Sequence, residues 1–128
     1  FLLVNSEGIG IKGMPMKPKI SKDPMYQLLR DDKVEHFNKF RAKGKSCDLT
    51  GCDFRSLDLR ELDVKGLDLT DAYFRGADLR SIDFRNCKLA GASLADAKIS
   101  GCYFPNDISA QEILLSLTQG TRLRQPSS

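Results

Sequence analysis

Between Cys47 and Asn106 the apolar positions recur every five residues without interruption. The stretch divides into twelve blocks: CDLTG, CDFRS, LDLRE, LDVKG, LDLTD, AYFRG, ADLRS, IDFRN, CKLAG, ASLAD, AKISG and CYFPN. The third position of each is large and apolar (Leu49, Phe54, Leu59, Val64, Leu69, Phe74, Leu79, Phe84, Leu89, Leu94, Ile99, Phe104), and the first is drawn from Cys, Ala, Leu and Ile. A period of five fits no regular element. On a helix each step of five turns about 140° past a full turn and scatters the apolar residues over every face. On a straight strand the odd period sends successive blocks to opposite faces. The pattern closes only if the backbone turns a corner once per block, returning the first and third positions to one interior. The fifth position supplies that corner: it is Gly, Ser, Asp or Asn in eleven of the twelve blocks, with Glu61 the exception. A chain that turns in this way coils, and its coils stack through backbone hydrogen bonds about 4.8 Å apart. Three and four sides per coil both satisfy the period; three would stack Phe54 on Phe84, four would stack Phe54 on Phe74.

A short stack exposes its core and unpaired edges at both ends and needs caps. Asp23-Pro24 reads as a helix N-cap followed by Met25, Leu28 and Leu29 on one face. Asp32 and Glu35 have capping-box spacing ahead of an apolar stripe, Val34, Phe37 and Phe40, that ends at Gly44. Two short helices and one kinked helix fit this segment equally. Beyond the repeat, Ser109 and Glu112 form another capping box, Ile108 and Ile113 are placed as a hydrophobic staple, and Ile113, Leu114 and Leu117 form a helix stopped near Gly120.

Blocks such as CDFRS, ADLRS and IDFRN resemble the pentapeptide-repeat family, whose motif is a small residue, Asp or Asn, Leu or Phe, and two variable residues. The resemblance covers 60 of 128 residues. It implies an all-β solenoid, a right-handed quadrilateral β-helix of three coils, here with α-helical caps at both ends. The expected order is a disordered or extended arm (1–22), an N-terminal helical cap (23–45), the repeat (46–106), a C-terminal capping helix (107–120) and a tail (121–128). Tyr73, Lys88, Ser93, Lys98 and Tyr103 depart from the motif, replacing its acidic second position, so the last coil loses the acidic stripe of the first two.

Charge refines the picture. Residues 1–46 carry ten Lys/Arg against five Asp/Glu, and residues 47–106 eight against ten, so the net +3 resides in the arm. Phe1-Leu2-Leu3-Val4 is too short for a signal-peptide core or a membrane span, and residues 1–13 read as a leader, tag or upstream extension. A cytoplasmic protein that does not engage membranes is the expectation.

No constellation proposes catalysis, a cofactor or a metal. Cys47, Cys52, Cys87 and Cys102 all occupy the inward first position and read as reduced structural thiols, without Cys-x-x-Cys spacing or a nearby histidine pair. The single histidine, His36, has no nucleophile or acid placed beside it and reads as a half-exposed helix residue. The stripe Asp48, Asp53, Asp58, Asp63, Asp68, Asp78 and Asp83 repeats too strictly for a metal cluster and suits pairing with cations or turn amides.

The distinctive outward feature is cationic: Arg55, Arg60, Lys65, Arg75, Arg80 and Arg85 at the fourth position. In four-sided stacking these form three ladders, Arg55 with Arg75, Arg60 with Arg80 and Lys65 with Arg85, and they are the candidate partner-binding residues. The expected function is a non-catalytic protein-interaction or scaffold module, a monomer or an end-to-end dimer, whose partner is another protein. The resemblance also implies an alternative, a DNA-mimicking modulator of a type II topoisomerase such as gyrase. A stack about 15 Å tall would then have to show about nine negative charges, and the repeat nets only −2. Nucleic-acid binding through the arm (Lys12, Lys17, Lys19, Lys22, Arg41, Lys43, Lys45) lacks the aromatic platform that single-strand binders use.

Overall fold

Most blocks turn because their fifth residue adopts a backbone conformation that most side chains avoid. The computed structural model describes residues 17–126; the reading of residues 1–13 and of Lys12 lies outside them. Ten of the twelve fifth positions have φ between 56° and 80°, including Ser56, Glu61, Asp71, Ser81 and Asp96. The next residue then donates its N–H to the carbonyl of the third position, as Leu57 does to Phe54 (3.2 Å) and Ala77 to Phe74 (2.9 Å). A left-handed residue at the third place of such a four-residue turn is the type II arrangement. Glu61, without the side-chain features that favour this region, is held there at φ 62°.

The corners set a return of twenty residues. Parallel bridges join Asp53 to Tyr73 to Ser93, Asp58 to Asp78 to Lys98, Asp68 to Lys88, and Asp83 to Tyr103. Along one side Phe54 donates to the Tyr73 carbonyl (2.8 Å) and Tyr73 donates back to the Cys52 carbonyl (3.0 Å). These are isolated bridges; no longer strand forms among the described residues. Four blocks therefore complete one coil, and the aromatic rings decide between the two stackings: Phe54 lies on Phe74 (5.2 Å, 11°) and Phe84 on Phe104 (5.4 Å, 16°). The first and third positions fill the interior, with Leu49 through Leu94 buried at every third position. Ile99 and Phe104 are only partly buried, because the C-terminal elements cover the other two sides of the last coil.

Among the described residues three helices flank the stack: α1 (Pro24–Arg30), α2 (Val34–Ala42) and α3 (Ala110–Gln119). The chain thus takes the two-helix option at its start. Asp23 caps α1 by accepting the Met25 N–H (2.8 Å), and Met25, Tyr26 and Leu29 are buried. The expected Asp32–Glu35 box does not form. Asp32 is instead the left-handed residue (φ 61°) that closes α1, where Lys33 donates to the Leu28 carbonyl (2.9 Å), so α2 starts one residue late with Lys33 as an N-cap that makes no side-chain bond. Phe37 is buried, whereas Phe40 stays exposed.

At α3, Ser109 accepts the Glu112 N–H (3.1 Å) as expected, but the Glu112 carboxylate does not return to Ser109; it is taken by Arg124. Leu114 is 60% exposed, contrary to the expected stripe. The inward face consists of Glu112, Ile113, Ser116 and Leu117, three or four residues apart, and Leu114 lies off it.

Polar groups of these flanks finish the stack. Lys19 adds a rung to the first coil, donating to Gly51 (2.9 Å) and accepting from Asp53 (2.9 Å). On another side the Asn38 amide of α2 makes the equivalent pair, donating to the Glu61 carbonyl (3.1 Å) and accepting the Asp63 N–H (2.8 Å). The hydroxyl of Tyr26, buried under the coil, donates to the Asp53 carbonyl (2.6 Å). At the far end Leu123 pairs antiparallel with Gly91 and Ala92 (both 2.8 Å), Ser116 Oγ accepts from Leu94 (2.8 Å), and the Gln125 amide accepts from Leu89 (2.7 Å) and donates to Cys87 (3.4 Å). The arm and the tail, read from the sequence as appendages, thus supply rungs at both ends.

Replacing Glu61 by Gly should relieve the left-handed conformation and raise the stability by about 1 kcal/mol, because the cost of a positive φ for a non-glycine residue exceeds the entropy of the added freedom. Urea denaturation checks it: an unchanged or lowered midpoint would show that the Glu61 corner carries no strain.

Candidate interaction surface

The outward side chains come in pairs, the second and fourth positions of each block. All seven aspartates at the second position accept the backbone N–H two residues on, as Asp48 Oδ1 does from Thr50 (3.1 Å) and Asp63 Oδ1 from Lys65 (3.2 Å). This Asx turn stiffens the side of the coil ahead of the corner. Where the fourth residue is arginine, the same carboxylate is also forked by the guanidinium. Arg55 donates Nε to Asp53 Oδ1 and Nη2 to Oδ2, each at 2.9 Å, and Arg60–Asp58, Arg80–Asp78 and Arg85–Asp83 repeat the geometry. Bidentate charge-assisted bonds of this kind fix direction as well as distance.

The carboxylates respond accordingly. The Arg80 fork holds Asp78 down to about 2, and the Arg85 fork does the same for Asp83, to about 2. Asp53 and Asp58 are lowered for the same reason, and Asp48 is lowered by the hydrogen bonds from Thr50.

The bridges place Arg55 beside Arg75 and Arg60 beside Arg80, and Arg60 also reaches Asp78 of the next coil at 3.7 Å. Lys65 and Arg85 line one shallow recess with Asp63 and Asp83. The six cations are thus on the surface in the expected rows, but they are not alike. Four are forked by their own block's aspartate. Arg75 belongs to the block AYFRG, whose second residue is Tyr73, so it has no such carboxylate; its ion contact is Asp96 at 4.0 Å, and its side chain is 66% exposed.

Tyr73 instead anchors a residue that sequence reasoning missed. Arg122 in the tail donates Nη2 to the Tyr73 hydroxyl (2.6 Å) and Nη1 to the Gly91 carbonyl (2.7 Å), and its guanidinium lies 5.1 Å from the Tyr73 ring centre. Lys17, Pro18, Arg55, Tyr73, Arg75, Ser93, Ala95, Gly120 and Arg122 line a groove of about 480 Å³. The sequence signal was the missing aspartate at Tyr73; nothing local placed Arg122 there.

The four cysteines are free thiols; Cys52 and Cys87 are buried, and Cys47 and Cys102 are half-buried. Burial pushes Cys52 and Cys87 up to about 11. Cys87 and Cys102 donate to the carbonyls of Val64 (3.0 Å) and Leu79 (2.9 Å) in the preceding coil. His36 is exposed on α2. Among the described residues no group of three or more His, Cys, Asp and Glu is placed to hold a metal ion, and no helix is long and apolar enough to cross a membrane.

In comparisons with known proteins, a family model described as pentapeptide repeats matches in eight copies over residues 45–76 and 68–104. No curated protein and no solved structure matches the chain.

Acid should weaken the fold in a defined window. A carboxylate whose folded value lies near 2, against an ordinary 3.8, stabilises fully above the ordinary value, and that contribution is lost as the pH falls through about 2. The urea midpoint should therefore drop between about pH 4 and about pH 2, and drop less in Asp78→Asn; equal slopes for the two proteins would refute the assignment. A thiol reagent at neutral pH should label Cys47 and Cys102 in the native protein and reach Cys52 and Cys87 only on unfolding. Mass spectrometry of the labelled cysteines reads the order, and early labelling of Cys87 would contradict it.

Proposed function

The chain is a pentapeptide-repeat protein, and from that premise we propose that it is a non-catalytic interaction or scaffold module, built as the right-handed four-sided β-helix the family implies and presenting its outward Arg/Asp rows to another protein. One observation carries the reading. Guanidinium groups on a stacked backbone are held by bidentate forks, so N–H donors stand in fixed rows before any partner arrives. Each forked arginine spends two of its five N–H groups on its aspartate and keeps three for a partner. Ordering such long side chains on binding normally costs affinity, and preorganisation removes that cost. Arg55, Arg60, Lys65, Arg75, Arg80 and Arg85 are the proposed contact residues. The duplex-imitating reading draws less support, because the guanidinium forks neutralise the acidic stripe it would need.

The test is affinity capture with the wild-type chain and with a variant in which Arg55, Arg60, Arg80 and Arg85 are all alanine. Loss of the retained protein with an unchanged circular dichroism spectrum is the expected result. Equal retention by both would remove the arginine rows from the interface.

A further inference from the structure

We propose that the groove around Arg75 is a binding site for an acidic segment of a partner protein; this rests on the interaction-module reading and names where it acts. The starting point is the broken rule at Tyr73. In the four Asp-x-Arg blocks the guanidinium is neutralised within its own block, whereas among the described residues Arg75 has one ion contact, at the outer limit of an ion pair, to an exposed Asp96. An outward guanidinium with unspent donors is a site for a carboxylate.

Its neighbours strengthen that assignment. The bridges run Lys19 to Cys52, Asp53 to Tyr73, Tyr73 to Ser93 and Ser93 to Arg122, so the side of the stack bearing Arg75 carries a rung from each end of the chain. The cations lining the groove, Lys17, Arg55, Arg75 and Arg122, are therefore spread along the stacking axis, and among the described residues no carboxylate lines it. Asp53, Asp96 and Asp71 lie at its fringe, within 4.0 Å of Arg55, Arg75 and Arg122 respectively.

Spacing selects the ligand. Successive rungs are about 4.8 Å apart, so one small anion reaches at most two of these cations, whereas an extended peptide presents a same-side side chain about every 6.6 Å and can engage several. The fringe aspartates disfavour a continuous phosphate backbone, which could not avoid them. Tyr73 offers no stacking platform for a base either, since the Arg122 guanidinium covers its ring.

Fluorescence anisotropy with a labelled peptide of alternating Glu and Ser at low salt tests the proposal. The wild-type protein should bind, and Arg75→Ala should weaken binding about tenfold, the size of one charge-assisted hydrogen bond. Tyr73→Asp should weaken it at least as much, because the introduced carboxylate neutralises Arg75, repels the peptide's own carboxylates and removes the hydroxyl that holds Arg122. If that variant does not fold, Arg75→Ala, at an exposed site, decides alone. The double change Arg60→Ala/Arg80→Ala, on another side of the coil, should leave binding unchanged. Absence of binding by the wild type would overturn the groove, as would equal losses from the double variant, which would mean diffuse attraction. Displacement of the peptide by a tighter-binding single-stranded oligonucleotide would overturn it in favour of nucleic acid. Any of these results beside intact, arginine-dependent capture of a protein partner would leave the module reading standing.

Discussion

A stacked coil can satisfy its own backbone everywhere except at its first and last turns, and the architecture of this chain follows from how those turns are closed. Within the stack each side both donates to and accepts from the coil before it and the coil after it. At the ends that exchange has no natural partner, and buried polar groups left unpaired cost about as much as the bonds inside the stack contribute. The closing groups are chemically the same as those they replace. The side-chain amides of Asn38 and Gln125 present one donor and one acceptor in the register of a peptide unit, and Lys19 and Leu123 do so with true peptide units. The helices are the carriers of these groups as much as they are hydrophobic lids.

Much of the interior was legible in the sequence because a strict period leaves little freedom. The third position was read as inward at every block, and it is buried from Leu49 to Leu94. The corner residues were also legible, although Glu61 shows that chain geometry, once cooperative, imposes the left-handed conformation on a side chain that does not favour it. The choice between three and four sides was not, since both satisfy a period of five; it rests on where Phe54 finds its stacking partner.

The ends and the surface were less legible, for a physical reason. Asp32 could be a helix cap or a left-handed terminator, and local sequence does not rank the two. Glu112 could return to Ser109 or meet Arg124, and only the fold brings Arg124 within reach. Arg122, Asn38 and Gln125 act across separations of more than twenty residues, with no spacing rule to announce them. The cationic rows were placed correctly by register, yet their inequality became visible only when each guanidinium was matched to its carboxylate.

The closing amides also quantise how such a chain can change in length. A circuit contains twenty residues, so inserting or deleting four blocks would return Ser116, Leu123 and Gln125 to the same sides of the terminal turn. A single block added to the earlier coils would turn the last coil, with the C-terminal assembly bound to it, by a quarter turn, and Arg122 would leave the side it shares with Lys19. Growth in whole circuits therefore keeps the two ends of the chain aligned along one side of the stack, and any other increment would part them.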